Sequence, residues 1–530
     1  MLNTPRSCRG MVTSPHHLAS QAGLDVLKAG GTALEAAVAT AAALAVVYPH
    51  MTGIGGDAFW LTMWPDGRVE TIDACGAAAA RADAGFYHAA GLDAIPWRGP
   101  LAANTVAGTV SGWDMALGWS HAMAPGLPLG RVLRDALYYA EQGAPVTAGA
   151  ARLTAQKVGE LRDVPGFAAQ FMPGGRLPEA GDILHNPRLA TTLRHLVDDG
   201  LDSFYRGRVA RELAADLTDL GSPLTLADLQ AHRASHQPAL HARIHGADLY
   251  NMAPPTQGVA SLLILALFDR LRAGQADDFD YLHGLVEATK QAFRYRDTHV
   301  GDPAYMTVRA QDILNDHKAL DRMAAAINPD RAAPWPWPSQ VGDTVWLGVI
   351  DSDGLAVSMI QSLYFEYGSG IVLPRTGVVW QNRGSSFGLD AQGWNGLRPG
   401  RKPFHTLNPA GARLDDGRTM VYGTMGGEGQ PQTQAALFTR YARYGVPLQQ
   451  AVTAPRWLLG RTWGEASVSL KYEDRFDPEV IARMQAAGHQ MERVAAFSSM
   501  MGHAGALVRH PSGLLEGAAD PRSDGCVAAW

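Results

Sequence analysis

Prolines at 334, 336 and 338 alternate with alanine and tryptophan between residues 332 and 339. Each proline fixes φ and removes a backbone donor, so neither a helix interior nor a central strand can pass through this segment. Immediately beyond it, Asp343-Thr-Val-Trp-Leu-Gly-Val-Ile350 begins a strongly strand-forming run. An exposed connector is therefore expected, followed by a strand that opens on a threonine. Cutting the chain before Thr344 would place a free α-amine beside that residue's own hydroxyl. Such an amine can serve as general base to a weak nucleophile without a histidine partner. Thr344 also suits the first position of an ordinary strand, where β-branched residues are common.

With 46% hydrophobic and 18% charged residues over 530 positions, the chain can bury a large core, as two closely packed lobes or one layered unit. The net charge of -6, with no block of lysine and arginine, argues against nucleic acid or an anionic membrane as partner. Cys8, Cys75 and Cys526 are odd in number and far apart. They suggest neither a disulfide framework nor a zinc site and fit a reducing cytoplasm. The first residues lack an apolar signal core, so a cytoplasmic location is expected. The apolar run from Ala36 to Val47 is too short to span a bilayer and reads as a buried helix.

Helices are expected over 18–29, ended by Gly30-Gly31, and over 33–47, stopped by Tyr48-Pro49. Strands over 58–63 and 68–73 should pair across Pro65-Asp-Gly67. The stretch from about 110 to 325 reads as mostly helical, with a clear helix over 282–296 and another after Thr256, a possible cap. Strands over 344–350 and 355–362 pair across Asp351-Ser-Asp-Gly354. Asp477-Pro478 starts a late helix, and strands over 505–508 and 514–517 follow. This order suggests stacked sheet and helix layers. Gly53-Ile-Gly-Gly56 precedes a strand and does not open a helix, which makes a dinucleotide fingerprint a poor fit.

Eight segments in order resemble the γ-glutamyltransferase family of N-terminal nucleophile hydrolases. They are Gly31-Thr-Ala-Leu-Glu-Ala-Ala-Val38, Pro49-His-Met-Thr-Gly-Ile-Gly-Gly56, Asn251-Met-Ala-Pro-Pro-Thr-Gln-Gly258, Gly301-Asp-Pro303, the Thr344 strand, Tyr367-Gly-Ser-Gly370, Gly423-Thr-Met-Gly-Gly427 and Asp520-Pro-Arg-Ser-Asp-Gly525. The resemblance implies an α+β fold, a four-layer αββα sandwich made as one precursor. It implies cleavage between Asp343 and Thr344 into a large region 1–343 and a small region 344–530, which remain partners. Thr344 would be the nucleophile and Ser362 its supporting hydroxyl. Gly426 and Gly427 would be the oxyanion-hole glycines, where backbone N–H groups can approach a developing charge closely.

Family transferases hold a γ-glutamyl head by its α-carboxylate and α-amine. Their arginine falls at Cys75 here, their aspartate at Ser385, an asparagine at Tyr364 and a serine pair at His405-Thr406. A site without those partners should reject a glutamyl head, whose charges would be buried unpaired. Tyr364, Gln381, Arg383, Ser385, His405 and Thr406 are the remaining candidates for substrate contact. Arg383 offers a forked cation suited to a carboxylate; it also suits a structural role in Asn382-Arg-Gly384, and His405 also reads as a satisfied core histidine.

The resemblance is to the family's cytosolic branch, and it points to a small carboxylated amide, with oxamate the expected substrate, hydrolysed through Thr344. A γ-glutamyl transferase or hydrolase, or another amide acylase, is the alternative enzyme. A non-catalytic binding subunit is the alternative outside catalysis. No cofactor and no metal are expected, since no His/Asp/Glu cluster shows ligand spacing. A homo-oligomer of the cleaved pair is possible on this reading.

Overall fold

Residues along the strand that Thr344 opens alternate between two different cores, and this alternation places that strand in the middle of a layered molecule. In a computed structural model, which describes residues 3–335, 343–460 and 467–530, Val345, Leu347 and Val349 pack towards helices while Trp346 faces a second sheet. Of the proline connector, residues 332–335 are irregular and 336–339 lie outside the described residues.

Fourteen strands form two seven-stranded antiparallel sheets. In chain order they are β1 (Arg6–Ser7), β2 (Met11–Ser14), β3 (Asp57–Met63), β4 (Val69–Ala74), β5 (Ser235–Pro238), β6 (Leu240–Ile244), β7 (Ala247–Asn251), β8 (Asp343–Ile350), β9 (Ala356–Tyr364), β10 (Ala410–Leu414), β11 (Thr419–Thr424), β12 (Ala504–Arg509), β13 (Leu515–Ala519) and β14 (Cys526–Ala529). The first sheet runs β14-β2-β8-β9-β3-β4-β5 and the second β1-β13-β12-β11-β10-β7-β6.

Helices α1 (His17–Lys28), α2 (Ala33–Val47) and α3 (Thr109–Met123) cover the first sheet. Helices α4 (Gly258–Phe268), α5 (Phe279–His299) and α6 (Gly429–Phe438) cover the second. A third core of Met11, Leu61, Met63, Ile350, Val421 and Leu507 fills the space between the sheets. The result is the αββα sandwich expected from the sequence.

The helix α2 boundaries agree with the expectation from the sequence, and the reason is local. Thr32 and Glu35 form a capping box, and the hairpin turn adds a second cap: Asp351 Oδ2 accepts the Ala33 N–H at 2.9 Å. Asp351 Oδ1 also accepts the Leu355 N–H at 3.0 Å, so one carboxylate fixes both the turn and the helix above it. Helix α5 is longer than the pattern over 282–296 suggests, because Asp278 caps it by accepting the Tyr281 N–H. Thr256 is not the cap of α4. Gln257 holds that position, while the Thr256 hydroxyl accepts the Gly258 N–H and donates to Met252 O.

The two sheets are locked by one indole. Trp346 Nε1 donates to Ser358 Oγ at 2.9 Å, and that hydroxyl reaches Tyr422 O in the facing sheet at 3.4 Å. The ring lies against bare backbone at Gly423 and Gly505, where a Cβ would stand 2.2 Å and 2.4 Å from ring carbons. Glycine is required there by proximity. Gly423→Ala should therefore destabilise the protein by about 1–3 kcal/mol through overpacking, read as a lowered thermal midpoint. An unchanged midpoint would show that the sheets can spread around the ring.

Candidate active site

The heads of β3 and β8 and the tail of β9 lie at one end of the first sheet. Ser362 is the register partner of Asp57 on β3. On the other side, Asp343 pairs with Tyr364 and Val345 with Gln361. Two residues of β9, Ser362 and Leu363, therefore stand opposite Thr344 alone. This is a β-bulge, a device that re-aims a side chain next to a site. Thr344 and Ser362 are both buried. By alternation, Thr344 shares the inner face with Trp346, and Ser362 shares it with Ser358 and Ile360. The Ser362 hydroxyl accepts the Tyr364 N–H at 2.8 Å, which holds the bulge. Gly56 makes room behind it, since a Cβ there would be 2.0 Å from Ser362 O. The 53–56 loop thus packs closely against β9.

Gly426 and Gly427 follow β11 in the facing sheet, with φ of 117° and 53°, a conformation that favours glycine. Their carbonyls are occupied: Gly426 O accepts the Gly429 N–H at 2.8 Å and Gly427 O accepts from Gln257 Nε2 at 2.8 Å. Gln257 Nε2 also donates to Thr406 O at 2.7 Å. Arg296, fully buried, orients this amide by donating from Nη1 to Gln257 Oε1 at 2.9 Å and from Nη2 to Glu428 Oε1 at 3.2 Å. The glycine loop and the 405–406 segment are thereby fixed to each other.

Asp57 is the centre of the remaining candidates. Its Oδ1 accepts three N–H groups at 3.1 Å, from Gly76, Gly108 and Gln381 Nε2. Its Oδ2 meets His405 Nε2 at 3.1 Å. His405 Nδ1 faces the Leu407 N–H at 3.5 Å, which makes it the acceptor and leaves the ring proton on Nε2, donated to Asp57. Burial pushes the Asp57 carboxyl up to about 7, with the Gly76, Gln381 and Arg383 contacts pulling back. Burial also holds His405 well below the usual histidine range, with the Arg383 and Lys402 charges adding to it.

Arg383 lies in this cluster, 1% exposed. Its Nη2 donates to Thr406 Oγ1 at 3.2 Å, and its guanidinium carbon sits 3.7 Å over the Tyr364 ring. Among the described residues Nε and Nη1 have no hydrogen-bond partner. Burial draws its pKa down, with Tyr364, Asp57 and Cys75 opposing.

Five of the six proposed contacts, Tyr364, Gln381, Arg383, His405 and Thr406, therefore come together. Ser385 does not join them: it is half-buried and its hydroxyl donates to Asn382 O at 2.7 Å. Gln381 and His405 both bond Asp57. The sequence showed no metal-ligand spacing, yet the fold brings Asp57, Cys75 and His405 to within 4.8 Å of one another. Both Asp57 oxygens and both His405 nitrogens are engaged by the protein itself. A second group, His283, Glu287 and His489, is also internally bonded, through His283 Nδ1 to His489 Nε2 at 2.9 Å and Lys290 to Glu287 at 2.7 Å. Asp57, Gln257 and Arg296 were missed in the sequence. Asp57 stands directly after Gly55-Gly56 at a strand start, and Gln257 lies inside a motif already singled out, which are the signals that could have found them.

Comparison with known proteins agrees with this architecture. The chain is 56% identical over 525 residues to the oxamate amidohydrolase proenzyme of Klebsiella pneumoniae, with 99% of each chain covered. It is 40% identical over 525 residues to a glutathione hydrolase-like proenzyme of Bacillus subtilis, with 98% of each covered. The crystal structure of cephalosporin acylase from Bacillus halodurans superposes with a TM-score of 0.91 at 32% identity, covering 100% of this chain and 97% of that one. The family model described as gamma-glutamyltranspeptidase matches residues 19–530. The chain belongs to the γ-glutamyltranspeptidase family, with the N-terminal nucleophile hydrolase fold and the amide-cleaving chemistry of that family.

Proposed function

We propose that the protein is a self-cleaving amidohydrolase that converts oxamate to oxalate and ammonia, with Thr344 as nucleophile. The observation that carries the substrate class is Arg383: a buried guanidinium with two nitrogens, Nε and Nη1, unpartnered among the described residues. Leaving such donors unmet costs free energy, which a ligand carboxylate would recover through charged hydrogen bonds. The 56% identity to an oxamate amidohydrolase proenzyme supports oxamate as that ligand.

In the continuous chain the Thr344 nitrogen is an amide within β8 and cannot act as a base. The proposed first reaction makes it one. Thr344 Oγ1 attacks the Asp343 carbonyl carbon, the peptide C–N bond breaks, and an ester forms. Water then hydrolyses the ester to give the Asp343 carboxylate and a free Thr344 amine. In turnover, that amine takes the hydroxyl proton as Oγ1 attacks the oxamate amide carbon. The N–H groups of Gly426 and Gly427 are the proposed donors to the tetrahedral oxyanion, with Ser362 holding the bulge that presents the threonine. The amide nitrogen leaves as ammonia after gaining the proton from the α-amine. Water resolves the oxalyl ester, releasing oxalate and restoring the hydroxyl. The two regions, 1–343 and 344–530, stay together because β8 pairs with β2 and β9 with β3, and because Asp57 of the first region bonds Gln381 and His405 of the second.

A γ-glutamyl head fits this pocket poorly. Cys75 is a buried neutral thiol, its pKa raised well above the usual range by burial, and the Ser385 hydroxyl is turned onto Asn382 O. Oxamate should therefore release ammonia far faster, in kcat/KM, than any γ-glutamyl anilide releases its amine. Efficient γ-glutamyl transfer to a dipeptide would overturn that assignment.

Purified protein should yield two fragments joining at Asp343 and Thr344 by mass spectrometry, and Thr344→Ala should remain whole and inactive. A wild-type chain that stays intact yet fully active would refute the nucleophile. Arg383→Ala should cleave itself normally but lose about ten- to a hundredfold in kcat/KM on oxamate, the value of one charged hydrogen bond. Normal turnover by that variant would place the carboxylate elsewhere.

A further inference from the structure

Four planar groups follow one another from solvent to the buried guanidinium, the outermost pair tilted at 50° and the next stacked. The Trp97 ring lies 4.9 Å from Phe365, and Phe365 lies 4.4 Å from Tyr364 at an interplanar angle of 16°. Arg383 then covers the Tyr364 ring at 3.7 Å. Exposure falls from 48% at Trp97 to 7%, 3% and 1% along the line, so the stack leads inward without a break. Tyr364 is also the register partner of Asp343, next to the proposed nucleophile. The ring that Arg383 covers is therefore carried by the residue whose backbone pairs beside Thr344.

The backbone around the outer end is fixed. Asn382 Nδ2 donates to Trp97 O at 2.8 Å and Asn382 Oδ1 accepts the Phe365 N–H at 3.1 Å. Arg98 Nη1 donates to Glu366 O at 2.7 Å and to Gly368 O. Tyr364 holds φ at +84°, a conformation unfavourable for a residue with a Cβ, and its ring is gripped from both sides. Of these rings the Trp97 indole is the most exposed.

We propose that Tyr364, Phe365 and Trp97 form the wall that sets the length of acyl chain the site accepts, with Trp97 as its yielding outer leaf. This rests on the reading that Arg383 holds the substrate carboxylate. The cation and the nucleophile then fix the two ends of the acyl group. Every added methylene must bulge sideways, and on the Tyr364 side it meets a ring backed by Phe365 and, beyond it, by Trp97. A pocket of this kind rejects an extra methylene by about ten- to two-hundredfold. Trp97 comes from the region before the proposed cleavage and Phe365, Tyr364 and Arg383 from the region after it, so both regions set the specificity.

The test is kcat/KM for ammonia release from oxamate, malonamate, succinamate and glutaramate, with wild type, Trp97→Ala, Trp97→Phe and Arg383→Ala. In the wild type the rate should fall with each methylene. Trp97→Ala should raise the glutaramate-to-oxamate ratio by about tenfold, one step of methylene discrimination, mainly through KM on the longer amide. Trp97→Phe, which keeps a ring on Phe365, should restore most of the wild-type ratio. A Trp97→Ala ratio equal to the wild type, or an equal change on all four amides, would overturn the wall. Arg383→Ala reads the other claim: it should depress all four substrates, and if it does not, the carboxylate assignment fails whatever the Trp97 ratio shows. Normal chain cleavage by the Trp97 variants would show that they fold.

Discussion

One buried carboxylate holds the candidate site together. Asp57 stands at the head of β3 with four donors on two oxygens, drawn from the 76 and 108 loops, from Gln381 and from His405. A buried carboxylate is costly unless it is paired and bonded; here both oxygens are bonded, and burial still holds the carboxyl up at about 7. The consequence reaches beyond its own stability. By accepting from Nε2 it fixes His405 as a neutral ring with a defined tautomer, and by its charge it offsets Arg383. Removing Asp57 would leave a buried guanidinium with neither a counter-charge nor a ligand. The site therefore keeps a cation with Nε and Nη1 open among the described residues, and Tyr364, Asp57 and Cys75 offset part of the cost of burying it.

The same logic separates what positions from what is positioned. Gln257 joins Gly427 O to Thr406 O, and Thr406 Oγ1 accepts from Arg383. The glycine loop, proposed to meet the oxyanion, and the guanidinium, proposed to meet the carboxylate, are thus held through one amide. Arg296 fixes the orientation of that amide by donating to its oxygen. The sheets themselves are kept in register by Trp346 between Gly423 and Gly505. Shifts of an ångström in such a frame degrade catalysis strongly, which explains why so many buried polar contacts converge near two glycines and a threonine.

Much of the fold was legible because its signals are local. The Thr32–Glu35 capping box, the Asp351–Gly354 turn and the alternation along 345–350 each specify an element from neighbouring residues. The ordered motifs then supplied the family and, through it, Thr344, Ser362 and the paired glycines. The rest is long-range. Asp57 meets His405 across 348 residues, Gln257 meets Gly427 across 170, and nothing in either neighbourhood signals the partner. Trp97 reads as an ordinary loop aromatic until Phe365 is seen beside it. Ser385 was named from a family position, and in the fold a local turn commits its hydroxyl to Asn382 O.

The bulge at Thr344 connects these points. Ordinary antiparallel pairing would set each residue of β8 against one of β9, and a threonine in such a ladder is held by its backbone on both sides. With two residues of β9 facing it, the ladder loosens at one position only, between pairs that are kept. The strain is confined by the Ser362 hydroxyl on the Tyr364 N–H and by the Arg383 and Phe365 planes on the Tyr364 ring. Tyr364 thus joins two features: its backbone ends the ladder where the proposed cut falls, and its ring, between Arg383 and Phe365, begins the proposed wall. On the proposed specificity for a small carboxylated amide, an aromatic residue at this position serves the strand end and the acyl site at once.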